Sequence, residues 1–466
     1  MAFSTLFFPF VFLPLAVLLY YITPKKVRSV TLLILSLLFF AWGNPAYLLL
    51  MLCSIAMNYF AGLELGHHLK SENRKRAKAV LTVSVAANLL LLGFFKYYGF
   101  LLDNINALLR LKLPVQSFPV PIGLSFYTFS LLSYLFDVYR GKARMQKNLL
   151  SFSLYVTFFP KLISGPIMQY HDFDEQLKAP RVNLTKLGEG VRLFLIGLAK
   201  KLLLADVLGT TFYAMQAQGV QSTFGAWVEA LLYTLMLYFD FGGYSDMAIG
   251  LGKMLGFELP KNFDYPYLCS SITDFWRRWH ISLGAWFRDY VYIPLGGSRE
   301  GQAKTIRNLL IVWLLTGLWH GASWTFIIWG VYYGILLILE KFVLKKVVDV
   351  LPSFLRHLLT VLLVVIGWVF FFSGSISEAF STIARMFGKG AFLDPAAKYY
   401  FSGCWKILLA AVFACLPIGA RLGMQVYRRS RRAVIVLSVL YFGILLLLCI
   451  AAMVGGTYSS FLYFQF

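Results

Sequence analysis

Ala433-Val434-Ile435-Val436-Leu437-Ser438-Val439-Leu440-Tyr441-Phe442-Gly443-Ile444-Leu445-Leu446-Leu447-Leu448-Cys449-Ile450-Ala451-Ala452-Met453-Val454-Gly455 contains no charged side chain and follows directly on Arg428, Arg429, Arg431 and Arg432. A helix rises about 1.5 Å per residue, so a run of this length crosses the roughly 30 Å of bilayer hydrocarbon. That layer holds no water, so every backbone N–H and C=O must be paired within the segment, as a helix does. Short cytoplasmic loops collect Lys and Arg, so the arginines mark the inner end of this span. The helix then runs outward and leaves Ser459-Ser460-Phe461-Leu462-Tyr463-Phe464-Gln465-Phe466 at the outer face.

The same pattern repeats upstream. Of 466 residues, 59% are hydrophobic, 17% aromatic and only 14% charged, against about 25% charged in a soluble domain. Apolar runs lie near 29–42, 46–64, 79–95, 119–139, 148–168, 188–207, 225–255, 305–320, 322–344, 355–374 and 403–420. They predict an all-α, multispanning membrane protein with about eleven helices that cross or partly cross. Several runs are broken, as at Phe159-Pro160-Lys161 and Ser164-Gly165-Pro166. Irregular backbone at membrane depth needs protein or a water-filled cavity around it, so re-entrant or tilted segments are expected.

The first run, Ala2 to Thr23, has no basic residue ahead of it and no small-residue cleavage site behind it, so it reads as a retained span. Its basic flank of Lys25, Lys26 and Arg28 places the N-terminus outside. The loops carrying Arg74, Lys75 and Arg76, and then Arg140, Lys142, Arg144 and Lys147, fit the same orientation. The chain reads as one integral-membrane domain over 1–466. N-terminal helices occupy 1–147, a core 148–345, further helices 346–455 and an extracytoplasmic tail 456–466.

Lysines and arginines number 43 and acids 21, a net charge of +22. Because the positive residues sit in short loops, they indicate positive-inside topology and attraction to anionic lipid rather than a nucleic-acid partner. Cys53, Cys269, Cys404, Cys415 and Cys449 are scattered, without metal-ligand spacing, and read as small core hydrophobes. No metal site is expected.

One stretch departs from the spans. In Ser271 to Tyr290, Ile272, Phe275, Trp276, Trp279, Leu283, Trp286, Phe287 and Tyr290 recur at helical spacing. Asp274, Arg277, Arg278, Arg288 and Asp289 fall on the other side. This predicts one amphipathic helix in the membrane interface or at the mouth of a cytoplasmic funnel.

The candidate chemistry rests on histidines and carboxylates. His67, His68, His171 and His357 lie beside polar or basic segments and read as wet-edge residues. His320 lies inside Leu314-Leu315-Thr316-Gly317-Leu318-Trp319-His320-Gly321-Ala322-Ser323-Trp324, with no formal charge between Arg307 and Glu340. An ionisable residue in such a run is costly, so it is a candidate general base, with a packed, hydrogen-bonded histidine as the alternative. Gly317 and Gly321 either let helices pack closely or let a substrate approach the ring. His280 lies in the amphipathic stretch, where Arg277 and Arg278 have the charge to attract an anionic donor such as a coenzyme A phosphate. Asp240 and Asp246, in Tyr238-Phe239-Asp240-Phe241-Gly242-Gly243-Tyr244-Ser245-Asp246, must be paired at membrane depth; arginines are the expected partners. Gly123-Leu124-Ser125-Phe126-Tyr127 and Gly243-Tyr244-Ser245-Asp246-Met247 both lack the second glycine of a nucleophile elbow. Neither a phosphate-binding loop nor a zinc-protease pattern appears.

Asp274-Phe275-Trp276-Arg277-Arg278-Trp279-His280-Ile281-Ser282-Leu283, with Trp286 to Tyr290 and Tyr292 to Gly297, resembles the signature of the membrane-bound O-acyltransferases. So does Thr316 to Phe326. Tyr238 to Asp246 and Pro160 to Pro166 resemble the bacterial branch that acetylates alginate, peptidoglycan and other envelope polysaccharides. The likeness covers nearly the whole chain. It implies helices around a thinned centre with a central tunnel, a donor funnel from the cytoplasm and an acceptor opening outside. It also implies that His320 is the essential histidine and His280 the second one, with Arg277, Arg278, Trp279 and Trp319 near the donor. Asp240, Asp246, Gly317 and Gly321 are then structural, along the tunnel.

The tail Phe461-Leu462-Tyr463-Phe464-Gln465-Phe466 is similar to a short aromatic motif that ends members of this branch, and makes Tyr463 a candidate acyl carrier. The resemblance implies no bound cofactor, with acetyl-CoA as the simplest donor and an acyl-carrier protein as the other. It implies an SGNH-type acetyltransferase partner outside a bacterial cytoplasmic membrane. D-alanyl transfer to teichoic acids is the nearest alternative. A transporter or flippase with a proton-relay histidine is the alternative of another class.

Overall fold

The computed structural model describes residues 2–43, 45–116, 118–178, 180, 182–344 and 350–456. Tyr463 and the tail from 457 onward lie outside the described residues. The described chain is helical, and its extended pairing is an isolated bridge between Phe263 and Trp279. Seven of the described helices are long and apolar enough to cross a membrane: Lys25–Gly43, Pro45–Lys70, Arg74–Leu109, Thr223–Met254, Trp324–Phe342, Ser353–Phe372 and Arg432–Gly455. A shorter apolar helix covers Phe8–Ile22. The chain is a multispanning, all-α membrane protein.

In chain order the α-helices are α1 (Leu13–Ile22), α2 (Arg28–Gly43), α3 (Pro45–Lys70), α4 (Arg74–Leu109), α5 (Leu124–Tyr139), α6 (Leu149–Thr157), α7 (Phe159–Leu162), α8 (Tyr170–Lys178) and α9 (Leu184–Ala199). They continue as α10 (Asp206–Gln218), α11 (Thr223–Met254), α12 (Ile272–Arg278), α13 (Ile281–Phe287), α14 (Gln302–His320) and α15 (Trp324–Phe342). The last are α16 (Ser353–Phe372), α17 (Ile376–Met386), α18 (Pro395–Ala414), α19 (Ile418–Arg429) and α20 (Arg431–Gly455). Two compact units are formed, one from residues 1–194 and 247–260 and the other from 195–246 and 261–466.

In the first unit, polar side chains act as glue between apolar helices. Asn58 of α3 and Asn88 of α4 exchange amide hydrogen bonds of 3.0 and 2.8 Å, and both are buried. Where helices approach most closely a side chain is missing. A Cβ on Gly250 would meet the Gly190 carbonyl oxygen at 2.6 Å, so α9 and the end of α11 touch backbone to backbone. The run near 148–168 is interrupted as its Pro and Gly predict: α6 stops before Phe158, and α7 is a single turn. Lys161, buried within it, donates to Ser130 Oγ at 2.8 Å and lies 4.3 Å over the Tyr155 ring. His171, read as a wet-edge residue, is half-buried with Nδ1 2.9 Å from Asp137 Oδ2.

The second unit begins with a π-helical turn, Lys200–Ala205, between α9 and α10. The wider turn carries two successive lysines onto α11. Lys200 donates to Asp246 at 2.6 Å; Lys201 donates to Asp240 at 2.6 Å and reaches Asp206 at 2.8 Å. The sequence reading gave these carboxylates arginine partners, and lysines take that place. The π-turn interrupts the regular helical period, so pairings made across it do not follow from helical spacing. Farther along α11, Ala226 and Ala230 pack with Val365, Val369 and Met386. Gly317 of α14 and Gly330 of α15 cross back to back: a Cβ on Gly317 would strike the Phe326 carbonyl, and one on Gly330 the Trp313 carbonyl. Of the two roles open to Gly317, this geometry is the packing one.

Candidate functional site

The site grows from residues 261–292 and the α14–α15 corner, all in the second unit. The amphipathic stretch is not the single helix its periodicity predicts. α12 ends at Arg278, His280 takes φ +45° and ψ 51°, and α13 restarts at Ile281 before a π-turn over Arg288–Tyr292. A left-handed conformation in a non-glycine residue costs about 1–3 kcal/mol and persists only where its surroundings impose it. Here the neighbouring chain does so. Asp264 N–H donates to the Arg278 carbonyl at 2.9 Å, and Ile281 N–H to the Asn262 carbonyl at 3.0 Å, with Phe263 bridged to Trp279 between them. Pairings 14 to 19 residues apart in sequence break the helix where the apolar spacing gives no sign of it.

His280 is 2% exposed, with Nδ1 3.0 Å from Asn262 Oδ1. Its ring meets Phe241 edge-on at 4.7 Å and lies 6.1 Å from Trp319. His320, 4% exposed, is the last residue of α14, where extended Gly321 ends the helix. Its ring lies 4.9 Å from Trp319, 4.9 Å from Trp329 and 5.2 Å from Phe371. Both predicted histidines therefore bear on one indole, that of Trp319. Gly321, like Gly317, serves close approach: a Cβ there would strike the Phe326 ring.

Two cavities adjoin His280. The smaller, about 180 Å³, is walled by His280, Trp279, Leu283, Phe287, Trp313 and Thr316 among others. The larger, about 1100 Å³, has Arg277, Arg288, Lys341 and Arg356 in its wall. Trp276, Gly284, Arg288, Tyr292 and Leu309 line both, so the two spaces share a neck. At that neck a Cβ on Gly284 would meet nothing within 4 Å. Glu340 also lines the larger cavity, but its carboxylate accepts from the Ile272 and Thr273 N–H groups at 2.6 and 3.1 Å and closes the start of α12. Arg288 is itself engaged by Asp289 at 2.8 Å, so the wall's positive excess over Glu340, suited to phosphate, rests on Arg277, Lys341 and Arg356.

Of the four residues assigned to the donor, Arg277 and Trp279 line cavities and Trp319 lies between the histidines. Arg278 instead donates from Nε to Asp274 Oδ1 at 2.8 Å, a bond that raises its already high pKa. Among the described residues no group of three or more His, Cys, Asp or Glu is arranged to hold a metal ion. Asn262, Lys341 and Arg356 were missed by the sequence reading. Each lies far along the chain from the motif it serves, and a lone Asn in Lys261-Asn262-Phe263-Asp264 carries no signal.

Residues 29–381 match the profile of the MBOAT family, membrane-bound O-acyltransferases. The chain is 43% identical over 398 residues to the probable alginate O-acetylase AlgI of Azotobacter vinelandii, covering 84% of this chain and 79% of that protein. It is 36% identical over 424 residues to the peptidoglycan O-acetyltransferase of Helicobacter pylori, covering 83% and 80%. To the teichoic acid D-alanyltransferase of Bacillus subtilis it is 30% identical over 301 residues, covering 59% of this chain and 75% of that one. With both histidine motifs inside the matched span, the chain belongs to the membrane-bound O-acyltransferase family and is an O-acyltransferase.

Proposed function

We propose that this chain takes an acetyl group from a cytoplasmic thioester, most simply acetyl-CoA, and moves it across the bacterial cytoplasmic membrane for O-acetylation of an envelope polysaccharide. The observation that carries this reading is the pair of cavities joined at Gly284, one with a basic wall and the other ending at His280. Arg277, Lys341 and Arg356 hold donor phosphates. A pantetheine arm passes the neck, and the small apolar cavity takes a short acyl end in preference to a long chain.

His320 is the general base. Its imidazole accepts the proton of an attacking hydroxyl as the oxygen bonds to the thioester carbonyl carbon. The C–S bond then breaks, and the departing thiolate takes the proton from the imidazolium. The hydroxyl is that of Tyr463, in the sequence that follows α20. An SGNH-type partner collects the acetyl group from the tyrosine ester and loads the polymer. Similarity to an alginate O-acetylase and a peptidoglycan O-acetyltransferase over most of the chain supports acetyl as the group carried.

The test is to isolate the protein from cells making their normal envelope and weigh its C-terminal peptide, with His320→Gln as control. Acetyl on Tyr463 in the wild type alone is the expected result. A D-alanyl mass would transfer the reading to D-alanylation. Full thiol release from acetyl-CoA by His320→Gln in proteoliposomes would remove the general base.

A further inference from the structure

We propose that Asn262 is the positioning residue of the second histidine: it fixes the His280 ring with the proton on Nδ1 and leaves Nε2 as the ring's proton acceptor.

The assignment follows from which atoms can donate. Ser282 N–H, a backbone group that can only donate, lies 3.2 Å from the Asn262 δ1 atom, which must therefore be the amide oxygen. The other end of the amide agrees, since Nδ2 donates to Ser245 Oγ at 3.1 Å. The same Oδ1 accepts from Ser282 Oγ at 2.9 Å and lies 3.0 Å from His280 Nδ1. An amide oxygen has no hydrogen to give, so Nδ1 carries the proton. In a neutral imidazole the partner of one nitrogen decides the state of the other.

Asn262 is well placed to impose this. It is fully buried and anchored to Ser245 of α11, and its backbone carbonyl accepts from Ile281 N–H at 3.0 Å. One residue thus bonds to three consecutive ones, 280 to 282. It holds the left-handed turn and the ring orientation together, on the wall of the cavity that His280 lines.

The tautomer rests on geometry alone, and only its consequence for rate rests on the acyl-transfer reading. Orienting partners of metal-bound histidines typically contribute about ten- to a hundred-fold, and an effect of that order is expected of this partner. Asn262→Ala is expected to lose acetyl transfer by about that factor, mainly in kcat. Asn262→Asp keeps an oxygen facing Nδ1–H and Ser282 N–H and should recover most of the loss. Because Asp is also the closest isostere of Asn, the ring tautomer rather than the rescue separates positioning from a purely structural role.

The deciding measurement is solid-state NMR of the full chain in lipid with ¹⁵N-labelled histidine rings, the His280 signals being assigned by difference from His280→Gln. Protonated Nδ1 and bare Nε2 in the wild type and in Asn262→Asp, with mixed tautomers in Asn262→Ala, is the expected result. A wild-type ring protonated on Nε2 overturns the proposal whether or not any variant folds. If Nδ1–H is seen but no acetyl donor releases thiol, the tautomer assignment stands and the acetyl-transfer reading falls.

Discussion

At the scale of single residues, the sequence exposes what is chemically out of place and conceals what supports it. His320 is legible because an ionisable ring in an uncharged run demands a reason. Asp240 and Asp246 are legible for the same cause. Their partners are not, because Lys200 and Lys201 lie in an irregular turn 46 and 39 residues away in sequence. Asn262 is illegible altogether, since nothing local distinguishes it. Two outcomes belong here. His320→Gln keeps most of the side-chain volume but has no basic nitrogen, so thiol release from acetyl-CoA should fall by about 10²- to 10⁴-fold. Its melting temperature in detergent should stay near the wild type. Lys201→Met leaves two buried or half-buried carboxylates, Asp240 and Asp206, without their ammonium. Breaking such a pair costs about 3–5 kcal/mol, which melting will report, and adding Asp240→Asn should return part of it.

At the scale of elements, helix positions follow from apolar runs, but the break in the amphipathic segment does not. Ile272 to Tyr290 keep helical spacing in sequence, while the chain leaves the helix at Trp279 and His280 because residues 262–264 pair against it. A tertiary contact overrides a local pattern there, and His280 occupies the break. Two glycines show how position decides the effect of an added side chain. At Gly317 a Cβ would meet the Phe326 carbonyl, so Gly317→Leu should push α14 from α15, lower the melting temperature and remove activity together; overpacking of this kind costs about 1–3 kcal/mol. At Gly284 a Cβ meets open space on a helix of ordinary conformation. Gly284→Trp should leave melting unchanged and block the neck between the cavities, abolishing thiol release from acetyl-CoA. If both variants behave alike, the neck is not the donor's path.

At the scale of the whole molecule, basic clusters and apolar runs predict an orientation that helix geometry alone does not supply. Of the four arginines, Arg428 and Arg429 end α19 and Arg431 and Arg432 begin α20, whose apolar length suffices for one crossing. If the arginines are inside, Gly455 and the tail beyond it are outside. Ser459→Cys should then react with a membrane-impermeant maleimide on intact spheroplasts, while Ser71→Cys, beside the Arg74–Arg76 cluster, should react only after permeabilisation. That topology is what gives Tyr463 its proposed purpose. On the proposed reading the thioester stays in the cytoplasm and the polymer outside, so the two never meet. A tyrosine hydroxyl that receives the acyl group, as proposed, divides the transfer into two short steps. Tyr463→Phe removes one oxygen and leaves the aromatic anchor. The variant should reach the membrane at wild-type abundance, and envelope O-acetylation, read as acetate released by mild alkali, should fall to the level of His320→Gln. Wild-type acetylation by Tyr463→Phe would mean that the acyl group crosses without resting on this tyrosine, and the acceptor hydroxyl would have to belong to the polymer or to the partner itself.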